Sequence, residues 1–111
     1  MKRGEVWWVD FTPSVGGEIQ KKRPAVILSN DAANRYLNRV QVVPLTSRVD
    51  RVYPSEAVIV IGRRRSKAMA DQLTTVSKQR LTDRLGKLSA PDLAEVEHAV
   101  MIQLGLLEIA P

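Results

Sequence analysis

The stretch Lys21-Lys22-Arg23-Pro24-Ala25-Val26-Ile27-Leu28-Ser29-Asn30 sets a basic cluster directly against an uninterrupted apolar run. Ala25 to Leu28 has no polar member and carries β-branched residues, the pattern of a buried strand, and Ser29-Asn30-Asp31 supplies turn chemistry at its end. Pro24 marks the expected strand start, because proline withholds a backbone donor and is tolerated at a first or edge position but not in mid-sheet. Arg23 precedes the proline and is therefore biased towards extended geometry. Its guanidinium is expected to project from the rim of a rigid sheet, a good mount for an anion.

Around this stretch the chain alternates short strands with turn signals. Glu5 to Phe11 predicts a strand with Trp7, Val9 and Phe11 on one face and Val6 and Trp8 on the other. The loop Thr12 to Glu18, with two consecutive glycines, breaks it just before the basic cluster. Asp31 to Asn38 predicts a short helical turn, Val40 to Thr46 a strand carrying Pro44, and Glu56 to Ile61 another apolar strand. Gly62 to Lys67, with four cations in six residues, is expected to turn the chain. Ala68 to Val76 reads as extended but interrupted at Asp71-Gln72. Lys78 to Leu81 can form one helical turn, and Gly86 to Leu88 a short final strand.

The closing segment has the strongest local signature. Ser89 can cap a helix, Pro91 and Asp92 fall in its first turn, and Gly105 stands where a C′ glycine belongs. Leu93, Val96, Val100, Leu104 and Leu107 share one narrow face at 100° per residue, expected to cover the sheet. His98 and Ile102 are expected to point outward.

The 111 residues predict a single domain spanning 1–111, large enough for one core. With no cysteine, neither disulfides nor a thiolate metal site can form, and a reducing cytoplasm is the default compartment. The first residues lead into a strand pattern and not into a signal-peptide core. No apolar run approaches the roughly 20 residues that a bilayer span needs. Seventeen Lys and Arg against twelve Asp and Glu give +5, a balance that attracts polyanions without dictating fold or reaction.

The cations fall in groups: Lys21-Lys22-Arg23, then Arg48 and Arg51, then Arg63-Arg64-Arg65 with Lys67. Placed in loops or at strand ends, they can converge into a track for phosphates. Alone, the arginine run is as easily a solvated turn. Trp7 or Trp8 is expected in the core, while Tyr53, between Arg51 and Pro54 in a polar loop, suits stacking on an unpaired base. The chain has no glycine-rich phosphate-binding loop and one histidine, so nucleotide hydrolysis and zinc chemistry find no support. What remains is Arg23 beside a basic loop, the hydroxyl pair Thr46-Ser47, and scattered carboxylates. Such groups can hold a phosphodiester, and in RNA the 2′-hydroxyl is a nucleophile already attached to the substrate. Each has a plainer alternative: Arg23 pairing with Glu18, Thr46-Ser47 ending a strand, and Asp71 satisfying loop amides.

Several segments in order resemble the MazF/Kid (PemK-like) toxins of bacterial toxin-antitoxin pairs. They are Arg3-Gly4-Glu5-Val6-Trp7-Trp8-Val9-Asp10-Phe11, Gly17-Glu18 with Arg23-Pro24-Ala25-Val26-Ile27-Leu28-Ser29, Val43-Pro44-Leu45-Thr46-Ser47 and Ala70-Asp71-Gln72-Leu73. The similarity runs from Arg3 to about Leu106, and its most specific part is the arginine-proline strand taken with the Pro-Leu-Thr-Ser segment.

The resemblance implies an α+β, mainly β fold, a small SH3-like β-barrel with a C-terminal helix, assembled as a homodimer. It implies a sequence-specific, metal-independent endoribonuclease acting on single-stranded RNA without a cofactor, held inactive by a cognate acidic MazE-like antitoxin. Arg23 and Thr46 would contact the scissile phosphate, and Glu18 is the candidate base. RNA contacts would fall to Lys21, Lys22, Ser47, Arg48, Arg51, Tyr53, Arg63, Arg64 and Arg65, with Asp71 and Gln72 shaping a base pocket. Many relatives carry a basic residue two positions after that glutamine, where this chain has Thr74. The same architecture also serves toxins that poison DNA gyrase without cutting, and a barrel that only binds RNA is a further alternative.

Overall fold

The computed structural model describes residues 1–13, 15–18 and 21–108; Ser14 of the glycine-rich loop and the last three positions of the expected domain lie outside them. Strands β1 (Glu5–Asp10), β2 (Lys22–Ile27), β3 (Arg39–Thr46), β4 (Glu56–Ile61), β5 (Arg64–Met69), β6 (Thr74–Ser77) and β7 (Leu81–Lys87) form one curled antiparallel sheet. A short helix, α1 (Asp31–Tyr36), joins β2 to β3, and α2 (Ala90–Gln103) closes the chain. The strand order is β4-β5-β3-β2-β1-β7, with β6 also paired to β3.

β3 is the spine. On one side Val42 to Pro44 pair with β2, and on the other Arg39 to Val42 pair with β6 while Leu45 and Thr46 pair with β5. Pro44 falls at the changeover from β6 to β5, where a missing N–H interrupts neither ladder. β2 starts at Lys22, earlier than Pro24 suggests, because Lys22 and Arg23 already pair with Asp10 and Val9 of β1. The ladder from β2 to β3 begins only at Ala25, so the proline still avoids the fully paired part of the strand.

The curl gives two apolar clusters. Val9, Phe11, Ala25, Ile27, Val40 and Val42 form one, with Trp7 packed against it; Val6, Val26, Leu45, Ile59 and Ala68 form the other beneath α2. The alternation along β1 thus sorts its side chains as the period of two requires. Each fully buried aliphatic side chain contributes about 1.5–3 kcal/mol. The two outer strands approach each other where Gly86 of β7 faces Ile61 of β4: a Cβ on Gly86 would lie 3.1 Å from the Ile61 Cδ1.

At the N-terminus Gly4, at φ +88°, donates to the Ile27 carbonyl at 2.8 Å and accepts from the Leu88 amide at 3.0 Å. It thereby joins the ends of β2 and β7. Arg3 ties this corner to α2 through Glu97 at 2.7 Å and to the Leu28 carbonyl at 3.0 Å.

α2 begins as predicted, with the Ser89 hydroxyl accepting from the Asp92 amide. It ends earlier than its apolar stripe. Gly105 turns the chain at φ +73°, and the Leu106 amide returns to the Met101 carbonyl at 2.8 Å. The buried residues are Val96 and Ala99, flanked by Leu93 and Val100. Leu104 and Leu107 leave the helix and are exposed, and Ile102 is half-buried instead of outward. His98 is exposed, as expected. The basic turn is also narrower than its composition suggests. Gly62 and Arg63, both at positive φ, close a two-residue hairpin between Ile61 and Arg64, so Arg64, Arg65 and Lys67 belong to β5.

Candidate functional site

Arg23 and Thr46 come from neighbouring strands. The β2–β3 pairing matches Ala25 with Pro44, Val26 with Val43 and Ile27 with Val42; continued two residues towards the rim, the same register sets Arg23 across from Thr46. Both line a cleft of about 570 Å³ together with Lys21, Lys22, Ser47, Arg64 and Ser66. Its floor is apolar, formed by Trp8, Pro24, Leu45, Ile61 and Leu85. Leu45 belongs to the core, and Leu85 is 44% exposed. Four cations and three hydroxyls over an apolar floor suit an anionic ligand that also carries flat apolar groups.

Local sequence explains the mounting. Lys21 sits at φ +67° where the chain turns into β2, and its carbonyl accepts from the Phe11 amide at 3.0 Å, closing the neck of the β1–β2 loop. Arg23 is half-buried beside Pro24. Thr46 ends β3, and its hydroxyl accepts from the Arg48 amide at 3.3 Å, which fixes the start of the next loop. Arg64 sits in the strand at the hairpin's foot, opposite Ile61. Lys22 faces Asp83 at 4.0 Å, with both side chains at least half exposed, a separation that leaves the ammonium available to a ligand.

The remaining candidates lie elsewhere. Glu18, Asp71 and Gln72 line a second, polar pocket of about 310 Å³ with Thr74, Thr75 and Arg80. The Gln72 amide reaches the Gly17 carbonyl at 3.3 Å, tying the glycine loop to this pocket. Arg48, Arg51 and Tyr53 occupy the β3–β4 loop, where Arg51 donates to the Tyr53 hydroxyl at 3.3 Å and the ring is 52% exposed. Arg63 is at the hairpin tip, and Arg65 is paired with exposed Val60 on the face of β5 opposite Arg64. The arginine run is therefore divided, and Arg64 alone of the three lines the cleft.

Trp8 is the cleft residue that sequence reasoning missed. Trp7 packs on the core and donates to Glu5 at 3.1 Å, while Trp8, paired with Pro24, faces the cleft. The alternation along β1 already separated the two indoles, and the pairing with Pro24 shows which one meets the site. Lys67, read as part of a solvated turn, is buried. At the mouth of the β1–β2 loop, hydrogen bonds from the Thr12 hydroxyl and amide hold the Asp10 carboxyl below the usual range.

Residues 2–104 match the model of the PemK-like, MazF-like toxins of type II toxin-antitoxin systems. Endoribonuclease MazF9 of Mycobacterium tuberculosis is 37% identical over 96% of this chain and 98% of its own length. The structure of MazF from Deinococcus radiodurans superposes with a TM-score of 0.84 at 31% identity, covering 95% of this chain and 96% of that one. A mycobacterial endoribonuclease, solved in complex with its cognate antitoxin, gives a TM-score of 0.81 at 26% identity over 98% and 99% of the two chains. With its curled antiparallel sheet and single C-terminal helix, and with a family match that spans almost its whole length, this chain belongs to the PemK-like, MazF-like toxins of type II toxin-antitoxin systems.

Proposed function

We propose that this protein is an endoribonuclease toxin that cleaves single-stranded RNA in the cytoplasm by attack of the substrate's own 2′-hydroxyl, with Arg23 and Thr46 on the scissile phosphate. The observation that carries the proposal is the convergence of these two side chains across the β2–β3 register in a cleft rich in cations. Relatives bearing the name endoribonuclease support the activity. Lys21, Lys22 and Arg64 neutralise neighbouring phosphates, and Trp8 and Leu85 offer a surface on which a base can lie. Among the described residues no carboxylate lines this cleft, a donor set that favours anions over a divalent cation.

In the reaction the 2′-oxygen loses its proton and attacks phosphorus. The bond to the 5′-oxygen breaks, and that oxygen takes up a proton, leaving a 2′,3′-cyclic phosphate and a 5′-hydroxyl. The Arg23 guanidinium donates to the non-bridging oxygens as their charge grows, and the Thr46 hydroxyl fixes the same phosphate. Glu18, exposed on the β1–β2 loop, is assigned as proton acceptor; the loop must carry it from the second pocket to the cleft. Asp71 and Gln72 of that pocket then shape the seat of a flanking base. The active form is a homodimer, and an acidic antitoxin chain competes with RNA for the basic cleft.

The test incubates the purified protein with a long RNA in EDTA and with a matched oligonucleotide carrying 2′-deoxyribose at the cut nucleotide. Cleavage of the first and resistance of the second are expected. Cleavage of the deoxy substrate at an undiminished rate would refute the mechanism, and RNA binding without any cleavage would mark the fold as a binding module.

A further inference from the structure

Lys67 is a buried cation with an unusual set of partners. It is 8% exposed on β5, and its ammonium donates to the Glu56 carboxylate at 3.0 Å and to the Arg51 carbonyl at 2.6 Å. Those partners belong to the β3–β4 loop and its return strand. The loop leaves the sheet at Thr46, whose cross-strand partner is Lys67 itself, and returns at Glu56, whose carboxylate Lys67 holds. Between these ends the ammonium grips the loop's middle at Arg51 and lies 5.8 Å from the centre of the Tyr53 ring. Glu56 completes the clasp, its carboxylate accepting from the Tyr53 amide at 2.9 Å and its own amide donating to the Tyr53 carbonyl at 2.9 Å.

We propose that Lys67, with Glu56, is a positioning residue that holds the β3–β4 loop so that Arg51 and Tyr53 are presented to RNA beside Thr46. This rests on the ribonuclease reading above. Replacing a buried ion pair whole by apolar groups is often neutral, whereas removing one partner leaves the other's charge uncompensated, so lost stability in a Lys67 variant does not by itself identify its role. Here both polar contacts of the ammonium restrain the segment that carries the exposed ring, so an isostere that packs equally well still releases the loop. Pre-ordering this segment removes its ordering cost from RNA binding, and the effect belongs in affinity and not in the chemical step.

Two measurements on the full-length protein and its Lys67→Met variant test this. In limited trypsin digestion followed by mass spectrometry, the variant is expected to be nicked after Arg48 or Arg51 at least tenfold faster than the parent, with the remaining chain intact. In single-turnover RNA cleavage, half-saturation is expected to rise about tenfold, the order of one lost base stack, while the rate at saturation stays within threefold. Equal nicking in parent and variant overturns the proposal. So does a loss confined to the saturating rate, which would mean that Lys67 acts on Thr46 and the chemistry. Should Lys67→Met fail to fold, Glu56→Gln keeps the side-chain shape while weakening the ammonium's anchor, and the same two readouts decide. A parent that cleaves no RNA defeats the ribonuclease reading and leaves the trypsin comparison free to report on the clasp.

Discussion

Arg64 and Arg65 are adjacent in sequence, yet a salt titration should tell them apart. Four cations line the cleft, Lys21, Lys22, Arg23 and Arg64, and each phosphate neutralised on a single strand contributes about −0.7 to the slope of log K against log salt. Engagement of these four alone gives a slope of about −2.8, or roughly a fifty-fold loss of affinity between 50 and 200 mM salt. Arg64→Ala removes one contact and brings the slope to about −2.1, a loss of about eighteen-fold over the same range. Arg65→Ala, on the opposite face of β5, leaves it unchanged. The assay is fluorescence anisotropy with a 2′-O-methyl oligonucleotide that cannot be cut. Arg23→Ala should lower the slope as Arg64→Ala does and also reduce single-turnover cleavage by on the order of 10²- to 10³-fold, the usual loss for an oxyanion contact. Arg23→Lys keeps the slope but restores only part of the rate, because an ammonium lacks the planar fork. Equal effects of Arg64→Ala and Arg65→Ala would show that RNA does not follow this cleft.

Two further outcomes concern the scaffold. Gly4→Ala forces a side chain onto a residue at φ +88° with its new Cβ 3.3 Å from Leu93 Cδ2; the left-handed strain alone should lower stability by about 1–2 kcal/mol, read as a shift of the urea midpoint at constant slope. The carboxyls of Glu5, Asp10 and Asp31 are held below their ordinary range. For Glu5, burial opposes the shift and is outweighed by hydrogen bonds from the Lys2 amide, the Trp7 indole and Arg84; for Asp10 the donors are the Thr12 hydroxyl and amide, and for Asp31 the Arg3 amide and Asn34. Groups depressed in the folded state stabilise it above their unfolded values and cease to as pH falls through the folded ones. The urea midpoint should therefore decline between about pH 5 and pH 2, and Asp31→Asn should flatten that decline.

Much of the sheet was legible because its strands carry uninterrupted apolar runs, Val6 to Val9 in β1 and Ala25 to Leu28 in and just beyond β2. The capping of α2 by Ser89 was local chemistry and held. Cation density was a poor guide to backbone. Arg64 to Met69 is a strand because Gly62 and Arg63 complete the hairpin turn by themselves, and Lys67 is buried because a loop distant in sequence folds over it. The stripe on α2 outran the helix because the angular count at Leu107 assumed helical geometry beyond Gly105. The pairing of Arg23 with Thr46 could be suspected from motifs, but the register that aligns them is a property of the fold. The separation of Glu18 from that cleft depends on the path of the glycine loop, which no periodicity encodes.

The contact between Val60 and Asp92 has a consequence for how other chains can dock. β4 is an outer strand, and its Val60 amide donates to the Asp92 carboxylate at 2.9 Å in the first turn of α2. An incoming peptide that sought to extend the sheet there would have to displace a charged acceptor and the helix turn that carries it. That border is closed to strand addition, and a partner is directed to the side-chain surfaces of the cleft or to another edge. Substituting Asp92 with alanine would free the amide and open a new seam for self-association without altering a single residue of the cleft.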